Sequence, residues 1–146
     1  MIKSFIKSWE KNKDKLEEYI KTHKQQEYDS YKFLVKLIFE IVINPDINVC
    51  GDGIFDTDEI DVLDHGDYQG TLIFILHRNT YQPCVDEYVY TYVEYGSCSG
   101  CDTLQSIHRY DEDEPDENQV EDYMTLCLHL VQHCKPMGEF REENND

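Results

Sequence analysis

The sequence is short of positive charge, and the shortage is local. Residues 41–146 hold four basic side chains, Arg78, Arg109, Lys135 and Arg141, against 24 acids, a net of −20. Residues 1–40 hold nine lysines against seven acids, a net of +2, and the whole chain of 146 residues carries −18. This balance excludes a broad basic face for direct binding of nucleic acid and gives no attraction to an anionic membrane. Long apolar runs are missing too. The longest, residues 33–43, is broken by Lys36 and Glu40 and stops at Asn44-Pro45, far below the roughly 20 residues that span a bilayer. The N-terminal MIKSFIKSWEKNKDKLEEY turns charged too early for a signal peptide. A cytoplasmic protein is therefore expected. There the six cysteines stay reduced and serve as core thiols, metal ligands or redox groups. The chain has no Walker loop, no GxGxxG and no GxSxG, so neither a phosphate cradle nor a nucleophile elbow is available. A non-enzymatic role is the stronger expectation.

What is present reads as one α+β domain covering residues 1–146. Ile2, Phe5, Ile6, Trp9, Leu16 and Ile20 recur at helical spacing and predict an amphipathic helix of about five turns. A second helix starts after Asp29 or Ser30, both good caps. It carries Phe33, Leu34, Leu37, Ile38, Ile41 and Val42 and closes the helical part, residues 1–44, at Asn44-Pro45. Residues 47–95 read as an antiparallel sheet, with alternation over Glu59–Leu63, a turn over His65–Gly70, an apolar run over Thr71–Leu76 and a turn at 81–83. Over Glu87–Tyr95 alternation puts Tyr88, Tyr90 and Tyr92 on one face and Val89, Thr91 and Val93 on the other. Residues 96–110 form a turn with a CxxC pair and a short helix over 102–108. Residues 111–135 hold an acidic run and a last helix, about Asp116–Cys134, striped by Val120, Met124, Cys127, Val131 and Cys134. Residues 136–146 read as a loose tail. Two N-terminal helices and one C-terminal helix are expected to cover a small sheet.

The sharpest motif is YGSCSGCD, Tyr95–Asp102. Cys98 and Cys101 sit three apart where a strand yields to a helix, and backbone N–H groups at such a turn favour a thiolate. The spacing serves half of a zinc site, completed by His108, by Cys84 or by His129 and His133. It also serves a dithiol redox pair, although the strands that a thioredoxin-like sheet needs after its helix are not there. Close packing of small thiols is the simplest use, and no cofactor is the leading expectation. A calcium-loop match is present as well. Asn48, Cys50, Asp52, Gly53, Asp56 and Glu59 occupy positions 1, 3, 5, 6, 9 and 12. Pro45 in the entering helix and a strand-like exit past Asp58 mark it as fortuitous.

The run DEDEPDENQVED, residues 111–122, carries eight carboxylates: Asp111, Glu112, Asp113, Glu114, Asp116, Glu117, Glu121 and Asp122. As a solvated lead into a helix they complement its dipole. As a contact surface they stand in for phosphates and pair with arginines of a basic groove.

The blocks HGDYQGTLIFIL (65–76) and YTYVEYGSCSGCDTLQSI (90–107) resemble a recurring family of small uncharacterised proteins of bacterial phages and mobile elements. The resemblance spans roughly residues 65–108 and is most specific at Asp67–Gly70 and Tyr95–Asp102. It implies a phage or prophage gene acting inside a bacterial host and carries no catalytic residue. The expected function is inhibition of a basic host protein that acts on nucleic acid, of the anti-CRISPR or anti-defence type. The alternatives are a zinc or thiol protein built on Cys98 and Cys101, and a virion accessory.

Overall fold

The computed structural model describes residues 2–28, 30–48, 54–66, 69–79, 87–96, 102–107 and 114–137. Helix α1 spans Ile2–Thr22 and buries Phe5, Trp9, Leu16 and Ile20 on the expected stripe. Ser8 and Asn12 share that stripe and are buried with it. A 3₁₀ turn over Gln25–Tyr28 leads to Ser30, whose hydroxyl accepts from Phe33 N–H and caps α2, Tyr31–Leu37.

The second helix does not stop at Asn44-Pro45. It widens into a π-helical turn, Ile38–Ile43, and runs on as α3, Asn44–Asn48. Proline lacks an N–H, and its ring crowds the carbonyl one α-turn back. The wide turn relieves both, with the Asn44 N–H reaching back to the Phe39 carbonyl. The two buried polar residues of α1 serve this segment. Asn12 Nδ2 donates to the Val42 carbonyl at 2.9 Å, and Ser8 Oγ donates to Asp46 Oδ2 at 2.7 Å.

The Ser8 hydroxyl, aided by Lys11 and Asn12, holds the Asp46 carboxyl below its ordinary range. A depressed carboxyl adds stability above its unfolded value near 3.8, and that stability is lost as pH falls through the lower folded value. Acid titration of unfolding free energy is therefore expected to be shallower below pH 4 for Asp46→Asn than for the native chain. Identical slopes would remove Asp46 from the acid response.

The sheet is antiparallel in the order β1 (Asp61–Gly66), β2 (Gly70–His77), β3 (Tyr88–Tyr95), β4 (Lys135–Pro136). The first three strands are the expected meander. At the β1–β2 turn a Cβ on Gly66 would meet the Gln69 carbonyl oxygen at 2.3 Å, and one on Gly70 would meet that of His65 at 2.3 Å, so both positions require glycine. In β3, Val89, Thr91 and Val93 are buried toward the helices. Tyr88, Tyr90 and Tyr92 line the half-buried opposite face, opposite His77, Ile75 and Ile73 of β2. β4 is an addition to the expected sheet: two residues after the last helix pair with Val89 and Tyr90, and Met137 N–H donates to the Tyr88 carbonyl.

α4 (Thr103–Ile107) and α5 (Glu117–Gln132) complete the fold. α5 packs on α1, α4 and β3. Its buried face holds Val120, Cys127 and Val131 as expected, and also Tyr123, Leu126 and Leu130. Pro115 lies directly ahead of the cap Asp116. The core is one contiguous cluster, with Phe5, Phe39 and Phe55 meeting edge to face at centroid distances of 5.4 to 6.2 Å. No described helix is long and apolar enough to cross a membrane.

Candidate interaction surface and the CxxC turn

Asp116 begins the last helix by a reciprocal cap. Its carboxylate accepts from Gln119 N–H at 2.8 Å, while Gln119 Oε1 accepts from Asp116 N–H at 3.0 Å. Asp116 is itself exposed, with one carboxylate oxygen engaged in this cap. Glu114, Glu117, Glu121 and Asp122 are exposed. Glu117 and Glu121 are one turn apart on the same face, with Asp122 beside them. α5 has no Lys or Arg, and among the described residues none of these four acids makes an ion pair. Asp111, Glu112 and Asp113 lie outside the described residues.

One buried aspartate joins the described residues on either side of the CxxC segment. Asp102 Oδ2 accepts from Gly96 N–H at 2.9 Å, and Oδ1 accepts from the Tyr31 hydroxyl at 2.7 Å and from Gln105 N–H at 3.1 Å. The Gln105 side-chain amide also donates to the Gly96 carbonyl at 3.2 Å. The end of β3 and the start of α4 are thereby clamped together and tied to α2. Burial raises the Tyr31 phenol well above its usual range, so it stays a donor to Asp102. It also accepts from Leu104 N–H at 3.0 Å. Cys98, Cys101 and His108 lie outside the described residues. Cys127 and Cys134 are fully buried, and burial pushes their thiols up to about 12. They are core residues, as their place on the apolar stripe implies.

A cleft of about 350 Å³ opens between β3 and α5, lined by Tyr92, Glu94, Thr103, His129 and His133 among others. His133 stacks on the Tyr92 ring, 4.3 Å between centroids and 3° between planes. Its Nδ1 lies 2.9 Å from the Tyr92 carbonyl. A carbonyl can only accept, so Nδ1 carries the hydrogen and Nε2 is left for another partner. Sequence spacing alone puts His129 and His133 on one polar helix face; their shared cleft beside Thr103 emerges only from the packing of α5 on β3.

Comparison of the chain with protein families, with curated proteins and with solved structures gives no match in any of the three. The functional reading rests on the chain's own chemistry.

Proposed function

We propose that the chain is an acidic binding protein that occupies the polynucleotide-binding groove of a basic host protein, of the anti-defence or anti-CRISPR type. The observation that carries this reading is the exposed acidic face of α5, whose acids make no ion pair among the described residues. Glu117 and Glu121 stand about 6 Å apart along the helix axis, against roughly 3.4 Å per phosphate along one DNA strand. The helix therefore offers anionic groups at about half the linear density of a single strand, on a rigid rod. Arginine–carboxylate pairs replace arginine–phosphate pairs at such a surface.

The test is capture of a partner from host lysate by the tagged chain at rising salt. Capture is expected to weaken steeply with salt, and the triple variant Glu114→Lys, Glu117→Lys, Glu121→Lys is expected to slow association at least about tenfold. Salt-insensitive capture, or an unaffected variant, refutes it.

One observation favours a second reading, a zinc protein using Cys98 and Cys101. The cleft beside Thr103 presents His129 and His133 at the spacing of a Cys₂His₂ site. Bound zinc that disappears with Cys98→Ser discriminates this reading from the first.

A further inference from the structure

Asp56 and Glu59 hold the ninth and twelfth positions of the calcium-loop match. The fold sends the chain after them into β1 and not into an exiting helix, and it brings them a different partner, His77, at the end of β2. We infer that Asp56, Glu59 and His77 form a binding site for one divalent transition-metal cation of the zinc type, independent of the proposed function.

One ligating atom from each of the three side chains lies within 4.8 Å of the other two. The two segments that carry them are locked together. Phe55 bridges Arg78, Asp56 N–H donates to the His77 carbonyl at 2.8 Å, and Asn79 N–H donates to the Ile54 carbonyl at 2.7 Å. The backbone of the buried Phe55 is held in turn by the side-chain amide of Asn44, whose Nδ2 donates to the Phe55 carbonyl and whose Oδ1 accepts from Phe55 N–H, at 3.0 Å each. Asp56 and His77 therefore face each other across a fixed backbone.

The imidazole geometry points to a cation. His77 Nδ1 lies 2.9 Å from the Arg78 carbonyl, so Nδ1 is the protonated nitrogen. Nε2 faces Glu59 Oε2 at 3.3 Å. The same contact serves as a His–Glu ion pair, which a metal bridging the two atoms would replace. The edge of a tetrahedron with metal–ligand bonds of about 2.0–2.1 Å is about 3.3 Å. A backbone carbonyl fixing the far nitrogen is also the usual second support of a metal-ligating histidine.

The neighbouring cations are engaged elsewhere. The Arg78 guanidinium lies 4.9 Å over the Phe55 ring, and Lys36 pairs with Asp58 at 3.8 Å. Asp56 Oδ1 accepts from Asp58 N–H at 2.9 Å, which leaves Oδ2 for the metal. One imidazole and two carboxylates suit zinc, cobalt or manganese; calcium prefers oxygen alone. Three protein ligands leave a fourth position for water.

The test uses the full chain with Cys50→Ser, Cys84→Ser, Cys98→Ser and Cys101→Ser, which leaves only the buried Cys127 and Cys134 as thiols. Titration with zinc chloride at neutral pH is expected to show one equivalent bound. Glu59→Gln, at a mostly exposed side chain that the fold does not need, is expected to weaken binding at least about tenfold with an unchanged thermal midpoint, and His77→Gln at least as much. Cobalt in place of zinc is expected to give visible d–d bands without a thiolate charge-transfer band. Absence of a zinc heat, binding untouched by Glu59→Gln, or a thiolate band in the cobalt spectrum overturns the assignment.

Discussion

Asp102→Ala is expected to destabilise the protein by about 3–5 kcal/mol. Three donors converge on this one carboxylate, and its side chain is buried. Its removal leaves Gly96 N–H, Gln105 N–H and the Tyr31 hydroxyl without their acceptor, at about 1–3 kcal/mol for each buried orphan. In a chain of this length that lowers the melting temperature by about 10 °C or more. Asp102→Asn separates hydrogen bonding from mere loss of volume. An asparagine oxygen at the Oδ1 position still accepts from Tyr31 and Gln105, and only the Gly96 bond is lost, so about 1–2 kcal/mol is expected. Denaturant unfolding of both variants checks the order. Equal losses for Ala and Asn would show that the Gly96 bond alone carries the clamp.

Gln119→Ala is expected to cost about 3 kcal/mol. The Gln119 amide is buried and fully used. Nε2 donates to Gln25 Oε1 at 3.1 Å and to the Ile107 carbonyl at 3.0 Å, and Oε1 closes the cap of α5. Gln25 Oε1 also accepts from the Tyr123 hydroxyl at 3.0 Å. One side chain thus joins the 3₁₀ turn, α4 and α5. Glutamate ordinarily serves as well as glutamine in a reciprocal cap. Here it would bury a carboxylate against two acceptors, Gln25 Oε1 and the Ile107 carbonyl, so Gln119→Glu is expected to be the worse substitution at neutral pH. Thermal or urea unfolding distinguishes the two variants. A Glu variant as stable as the native chain would show that Gln119 acts only as a cap.

Much of the scaffold was legible because its causes are local. The stripe of α1, the cap Ser30 and the alternation of β3 are written within a few residues of where they act. The run past Pro45 was not, because the π turn that accommodates the ring depends on Asn12 and Ser8 supporting it from α1. β4 was not, because a two-residue strand has no period to read. In the acidic run, composition marked eight carboxylates alike, and only the backbone geometry shows that Asp116, exposed like Glu117, Glu121 and Asp122, also caps the helix.

The sequence by itself determined an α+β chain, its charge imbalance and the identity of its apolar faces, since periodicity and composition are properties of short windows. Tertiary structure alone decided which polar groups work together. Asp102 meets Tyr31 across 71 positions, Gln119 meets Gln25 across 94, and His77 meets Glu59 across 18. A polar side chain is buried only where the fold supplies its partner. No local pattern specifies a partner that far along the chain.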